Sequence, residues 1–199
     1  SLLKAMLALA KTYAFTNEYD RSIEIYNKAL KRSEELNNKV QKAYALNGLG
    51  TAYLYRDGDV DKALEYYEKG SELAKETGDK TLNTFFLNNI AIIHNQRGDS
   101  EKALEMMEEL LTIVEDLDDK TGQVFALNNI GFVYAAKGEK DRSNDYYKRS
   151  MSLSREIGDK DSEGLALANI GNYHMGEKQY DLAIKLFKES LEIYKKLGD

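Results

Sequence analysis

The stretch LNNIGFVYAAKGEKDRSNDYY, residues 127–147, contains two helical patterns separated by a break. In the first pattern, Leu127, Ile130, Gly131 and Tyr134 are spaced at i, i+3, i+4 and i+7, which places them on one face of a helix. The KG dipeptide that follows offers a glycine able to take the left-handed conformation that ends helices. The stretch therefore predicts two helices joined by a short turn.

The same pattern recurs along the chain. Segments related to its first half are spaced by 41, 40 and 40 residues: NGLGTAY (47–53), NNIAIIH (88–94), NNIGFVY (128–134) and ANIGNYH (168–174). Segments related to its second half are DRSIEIY (20–26), DKALEYY (61–67), EKALEMM (101–107), DRSNDYY (141–147) and DLAIKLF (181–187). LALAKTY (7–13) is the first-half segment that precedes DRSIEIY (20–26), so the chain contains five units, each with both halves. Their approximate bounds are 1–38, 39–79, 80–119, 120–159 and 160–199.

Turn residues mark the expected helix ends. The first helices should end at Gly58, Gly98 and Gly138, and the second helices near Gly78, Asp118, Gly158 and Gly198. Acidic residues that suit the start of a second helix are Asp20, Asp61, Asp99, Asp141 and Asp181. A helix pair cannot bury its apolar stripe alone, so neighbouring pairs must stack. We therefore predict that residues 1–199 form a single all-α domain.

The spacing of small and aromatic residues resembles that of the tetratricopeptide repeat (TPR). The first helices of repeats two to five contain a small residue (Gly50, Ala91, Gly131 and Gly171), and an aromatic residue or His follows three positions later. An Ala or Ser follows about twelve positions after the small residue, and an aromatic residue lies four positions beyond it (Tyr67, Tyr147 and Phe187). The 40-residue form with LNNI is similar to repeats of kinesin light chains, Leu-Gly-Asn-type adaptors and bacterial sensor-regulator domains. The resemblance implies a right-handed α-solenoid of five helix-turn-helix repeats (ten helices), with the first helices lining a concave face.

Composition excludes several function classes. The chain has no cysteine, which rules out disulfides, thiol catalysis and Cys-ligated metals. Its net charge is −6 with basic and acidic residues interspersed, which argues against a nucleic-acid surface or a basic membrane-binding helix. No apolar run is long enough to span a membrane. We find no catalytic constellation and expect no cofactor, no bound metal, no enzymatic activity and a cytoplasmic location.

The first helices of repeats two to five present a ridge of sixteen residues, none of them charged. An amide both donates and accepts hydrogen bonds, so a ladder of Asn residues can satisfy the backbone of an extended peptide, while aromatic residues supply apolar pockets. In the resembling families, asparagines at these positions bind the peptide backbone. The predicted groove residues are Tyr44, Asn47, Phe85, Asn88, Asn89, Ile92, Asn95, Phe125, Asn128, Asn129, Phe132, Asn169 and Asn172.

A structural alternative stays open for these residues. An Asn amide can also bond to the adjacent helix and set the stacking angle of two repeats. The second member of each pair (Asn89, Asn129 and Asn169) is as well suited to this role as to ligand binding, and the aromatic stripe could equally be core. Because the ridge is uncharged, we expect ligand binding to depend weakly on salt.

Three functional hypotheses follow. The first is a scaffold that binds a partner protein or peptide in its groove. The second is a ligand-sensing regulatory module of a bacterial signalling protein, such as a sensor kinase or a peptide-responsive regulator. The chain starts within a helix, ends at a repeat boundary and lacks polar capping helices, so we expect a fragment of a longer protein. Its apolar edges suggest a third hypothesis, end-to-end self-association.

Overall fold

The computed structural model describes residues 1–198 of the 199-residue chain. In that range the backbone forms ten helices and no strand: α1 (Leu2–Phe15), α2 (Tyr19–Glu35), α3 (Lys39–Asp57), α4 (Val60–Thr77), α5 (Lys80–Gln96), α6 (Ser100–Asp116), α7 (Lys120–Ala136), α8 (Lys140–Ile157), α9 (Lys160–Gly176) and α10 (Tyr180–Leu197). The all-α fold and the ten predicted helices are confirmed. Among these described helices, none is long and apolar enough to cross a membrane.

The helices belong to two compact units. The first unit, residues 1–93, contains α1 to α4 and most of α5. The second unit begins at His94 and contains α6 to α10. In the first unit α1 to α4 pack in sequence, and α1 also packs on α3. In the second unit α6 to α10 pack in sequence, and α7 also packs on α9. The boundary falls inside the third predicted repeat.

The turns between helices recur with the same backbone conformation. One residue in each turn has a positive φ, and so does Gly198 at the end of α10. These ten residues are spaced by 20 or 21: Asn17, Asn37, Gly58, Gly78, Gly98, Asp118, Gly138, Gly158, Lys178 and Gly198. Glycine takes this conformation without steric cost, and Asn and Asp tolerate it better than other residues. The predicted helix ends are therefore confirmed, and Lys178 is the least suited of the ten residues to its turn.

Helix N-termini are capped mainly by acidic residues. The Asp99 side chain accepts a hydrogen bond from the Lys102 amide and caps α6, as predicted. The other four predicted acidic residues lie in the first turn of their helices, where they suit the helix dipole without being the N-cap residue: Asp20, Asp61, Asp141 and Asp181. Caps that the prediction missed are Asn38, Asp59, Asp79, Asp119 and Asp159.

Small residues let the paired helices approach closely. A Cβ placed on Gly50 would lie 2.6 Å from the Tyr67 ring, and one on Gly131 would lie 2.7 Å from the Tyr147 ring. Gly171 faces Phe187 in the same way, and a Cβ added there would lie 2.9 Å from the ring. The small-to-aromatic spacing that suggested the family is therefore a direct packing contact between the two helices of a repeat.

Candidate functional site

A groove of about 1000 Å³ lies on the first unit. It is lined mainly by the first helices of three repeats, α1, α3 and α5, with a contribution from α2, and we call it the first-unit groove. Its lining includes Lys4, Leu7, Lys11, Phe15, Tyr26, Gln41, Tyr44, Asn47, Thr51, Tyr55, Leu82 and Phe85. Of the predicted groove residues, Tyr44, Asn47 and Phe85 therefore lie together in one cavity.

Two predicted aromatic residues present large apolar surfaces at this groove. Tyr44 is 43% exposed and Phe85 is 51% exposed, although both lie in helices that bury their other faces. Their neighbours in sequence, Ala43 and Phe86, are fully buried in the core. On α5 the helical period thus places Phe86 in the interior and its neighbour Phe85 at the groove.

The asparagines of the first LNNI segment form a hydrogen-bonded chain between two helices. Asn88 Nδ2 donates to Asn89 Oδ1 at 3.3 Å, and Asn89 Nδ2 donates to Asn47 Oδ1 at 2.9 Å. Asn89 therefore joins α5 to α3, which is the structural role that the sequence left open. The bond occupies the Oδ1 atom of Asn47 and leaves its Nδ2 group without a hydrogen-bond partner in residues 1–198.

The groove also contains two lysines that the ridge of repeats two to five does not include. Lys4 and Lys11 lie on α1, at the repeat positions that correspond to Tyr44 and Thr51 of α3. The expectation of an uncharged groove is therefore wrong for the first unit. The alignment of LALAKTY with NGLGTAY contained the signal, since it extends to these positions.

The tyrosines buried at the groove carry no negative charge. Burial raises the pKa of Tyr26, which lines the cavity. Burial also raises the pKa of Tyr67 to about 12, although its hydroxyl hydrogen bond with Thr51 opposes the shift. Both phenols stay protonated at neutral pH, so the two lysines supply the formal charge of the described lining.

In the second unit, α7 presents its predicted aromatic residues to solvent. Phe125 is 50% exposed and Phe132 is 61% exposed. Between them, Asn128 is only 8% exposed, and its Oδ1 atom has no hydrogen-bond partner in the described part of the chain. On α9, Leu165 and Met175 are similarly half exposed.

The remaining predicted residues have varied environments. Ile92 and Asn172 are exposed, whereas Asn129 and Asn169 are half-buried. Asn95 lies at the C-terminal end of α5 and accepts a hydrogen bond from Ser100 Oγ at 3.3 Å. Its Oδ1 atom is thus engaged by the start of α6.

The described residues contain no group of three or more His, Asp or Glu side chains placed to hold a metal ion. The two histidines lie in different environments: His174 Nδ1 contacts Gln179 Oε1 at 2.6 Å, and His94 lies near Asp99. Neither histidine lines the first-unit groove, whose described polar and aromatic lining consists of Tyr, Phe, Asn, Gln, Thr and Lys side chains.

Stacked helix pairs with a groove lined by their first helices define the chain as a helical-repeat protein. A family model described as tetratricopeptide repeat matches residues 1–76 and 81–156, and a second model of that description matches 165–197. The chain belongs to the tetratricopeptide repeat family. No curated protein sequence matches it.

Solved structures share the fold at low sequence identity. BtubC (BKLC) from P. vanneervenii superposes with a TM-score of 0.88 and 21% identity, over 99% of this chain and 81% of that one. A Rap protein complexed with Competence and Sporulation Factor has a TM-score of 0.82 and 16% identity, over 98% and 54% of the two chains. Aspartyl phosphate phosphatase F from Bacillus subtilis has a TM-score of 0.77 and 13% identity, over 96% and 59%.

Proposed function

We propose that this protein is a non-enzymatic scaffold whose first helices bind an extended segment of a partner protein or peptide. The observation that carries the proposal is the first-unit groove, in which Tyr44, Asn47 and Phe85 line one cavity. Its volume of about 1000 Å³ lies at the upper end of the range for small-molecule sites. A polypeptide segment suits a groove of this size better than a compact metabolite does.

Within this proposal the aromatic residues supply most of the affinity. Half-exposed Tyr44 and Phe85 can bury further apolar area against ligand side chains, the kind of contact that dominates interface energetics. Asn47 offers its Nδ2 group to a peptide carbonyl oxygen. Asn89, whose own Nδ2 bonds to Asn47, holds that amide in position.

The second unit presents a comparable surface of its own. Phe125 and Phe132 lie one helical turn to either side of Asn128, so an extended segment passing over α7 would meet two apolar side chains that are each at least half exposed. Asn172 on α9 is also exposed in this unit.

The absence of enzymatic activity is part of the proposal. Members of this repeat family generally bind other proteins, although one protein of similar fold is a phosphatase by name. The described lining of the first-unit groove contains lysines, amides and phenols but no acid–base pair or nucleophile with a base beside it. We therefore assign the groove to binding.

The test is a screen of the chain on an array of random peptides of about twelve residues, which would span about 40 Å when extended. The groove variant carries Tyr44→Ser and Phe85→Ser. The matched control carries Ile184→Ser and Leu191→Ser, which remove residues of α10 with similar exposure, 51% and 52%. Circular dichroism and thermal melts of the three proteins show whether each is folded.

We expect the groove variant to lose its peptides by about tenfold or more in affinity, because interface aromatic anchors often contribute more than one factor of ten. The control should keep the same peptides as the parent chain. If the folded groove variant binds as the parent does, the proposal fails.

The alternative function, a ligand-sensing regulatory module, has one observation in its favour. The Rap protein of similar fold was solved in complex with Competence and Sporulation Factor. For this chain the alternative requires that a peptide bound in the first-unit groove change the conformation or dynamics of helices that it does not contact. Hydrogen exchange with and without a peptide from the array separates the two functions: protection confined to the groove supports a scaffold, and changes in α8 or α10 support a sensor.

Two further expectations stay predictions. End-to-end self-association is supported by the exposure of Leu2 in α1 and Leu191 in α10, at 69% and 52%, and a concentration-dependent mass in solution would reveal it. The cytoplasmic location is open to a fractionation experiment on the natural host.

A further inference from the structure

The first-unit groove presents an excess of hydrogen-bond donors. Lys4 and Lys11 each contribute an ammonium group, and Asn47 contributes an Nδ2 group while its Oδ1 atom is already bonded to Asn89. The Nδ2 group of Asn47 has no acceptor within residues 1–198. A ligand that satisfies this lining must therefore be rich in acceptors.

The charge of the groove differs in sign from that of the whole chain. The protein has a net charge of −6, yet the described residues that line this cavity include two lysines and no Asp or Glu. Neither lysine forms an ion pair in the part of the chain that the structure describes, whereas many lysines elsewhere do, such as Lys28 with Glu24 and Lys137 with Glu101. Lys11 instead lies over the Phe15 ring, with Nζ 5.7 Å from the ring centroid.

From this arrangement we propose, as a refinement that rests on the proposed binding function, that the first-unit groove selects an acidic polypeptide segment. Carboxylate side chains of the ligand pair with Lys4 and Lys11 on α1. An apolar side chain of the same segment packs between Tyr44 on α3 and Phe85 on α5. The groove thus has a cationic side and an aromatic side, and it orients its ligand across them.

The spacing of the lysines favours side-chain carboxylates over a single terminal one. Lys11 lies seven positions after Lys4, which is two helical turns or about 10 Å along the axis. An extended chain covers that length in about three residues. One terminal carboxylate would pair with one lysine and leave the other unpaired, whereas two acidic residues within a short segment engage both.

The experiment uses the full chain on the same random-peptide array, with the C-termini amidated in one arm and free in the other. The test variant carries Lys4→Gln and Lys11→Gln. The control carries Lys28→Gln and Lys31→Gln, two exposed lysines of α2 that do not line the groove, so both variants change the net charge equally. The best binders are then resynthesised with Gln in place of Glu and measured by fluorescence polarisation.

We expect amidated binders of the parent chain to be enriched in Asp and Glu, and this enrichment to persist in the control and to vanish in the test variant. Replacing Glu by Gln in a binder should weaken it by about two- to fivefold, because Lys4 and Lys11 are exposed and ion pairs with exposed lysines are weak. Affinity should fall as salt is raised, in contrast to the weak dependence expected from the ridge alone.

Two results overturn the inference while leaving the proposed function intact. The first is binders that require Tyr44 and Phe85 but show no preference for acidic residues. The second is acidic binding that needs a free C-terminus, which would assign the lysines to a terminal carboxylate. If peptides bind equally to the chain without Tyr44 and Phe85, the groove is not the binding site and the proposed function fails with the inference.

Discussion

Gly131 provides the sharpest test of how the repeats pack. A Cβ at this position would lie 2.7 Å from Cε1 and 2.9 Å from Cδ1 of the Tyr147 ring. Tyr147 is 6% exposed, so its ring has little room to move away. Replacing Gly131 by Ala therefore forces either the ring or the α7–α8 distance to change.

The expected destabilisation follows from two opposing effects. Inserting a methyl group into a well-packed core costs about 1–3 kcal/mol. Alanine in place of glycine inside a helix regains about 1 kcal/mol of helix propensity. Since the ring contact is shorter than real Cβ contacts, we expect the first effect to prevail, and Gly131→Ala should lower the free energy of unfolding by up to about 2 kcal/mol.

The measurement is urea unfolding followed by circular dichroism. Gly176→Ala is the matched control, because the nearest atom that a Cβ there would meet is Lys140 Nζ, at 3.9 Å. That substitution should be neutral or slightly stabilising. A Gly131→Ala protein as stable as the control would refute the packing argument.

A double variant isolates the contact itself. The third repeat has Ala91 and Met107 at the positions of Gly131 and Tyr147, and methionine adapts to irregular space more easily than an aromatic ring. We expect Gly131→Ala to cost less when Tyr147→Met is also present, with a coupling free energy of about 1 kcal/mol or more. Additive effects would mean that the ring does not cause the penalty.

Three further substitutions have predictable signs. Asn144→Leu should raise the free energy of unfolding by about 1–2 kcal/mol, because Asn144 is 4% exposed and its Oδ1 lacks a partner in residues 1–198, at a position where the third repeat has buried Leu104. Lys178→Gly should add about 0.5–1 kcal/mol, since Lys178 has a φ of 60° that glycine adopts freely. Glu163→Gln should destabilise the protein at neutral pH, because Glu163 is 6% exposed and its carboxylate pairs with two cations, one of them Arg155 at 2.7 Å.

The Glu163 substitution also predicts a pH dependence. Burial acts to raise the pKa of Glu163, but hydrogen bonds from Lys160 and Arg155 outweigh it and hold the pKa below the ordinary value of 4.5. A carboxylate with a lowered pKa in the folded state stabilises the protein above its unfolded pKa and loses that effect as the pH falls through the folded value. The stability difference between the parent and Glu163→Gln should therefore be full at neutral pH and shrink below pH 4.5.

Each of these predictions has a result that would contradict it. An Asn144→Leu protein no more stable than the parent would show that the buried amide costs little at this position. A Lys178→Gly protein with an unchanged melting temperature would mean that the turn is not strained. A Glu163→Gln difference that is constant with pH would mean that the ion pairs do not depend on the ionised carboxylate.

The asparagine pairs show where the sequence stops being informative. Asn88 and Asn128 occupy the same position of LNNI, and the sequence assigns them one role. In the structure Asn88 is half-buried and bonds to Asn89, whereas Asn128 is 8% exposed and its Oδ1 has no partner among the described residues. Exposure and hydrogen bonding depend on the side chains that neighbouring helices bring near, and those neighbours differ between repeats.

The repeat period, the helix ends and the small-to-aromatic contacts follow from the sequence, because each depends on residues close together in the chain. Glycine spacing alone predicts the turn at Gly138, and the contact of Gly131 with Tyr147 lies within one repeat. The bond from Asn89 to Asn47 required the tertiary structure. It joins residues about 40 positions apart, and the way helices stack decides which side chains meet across that distance.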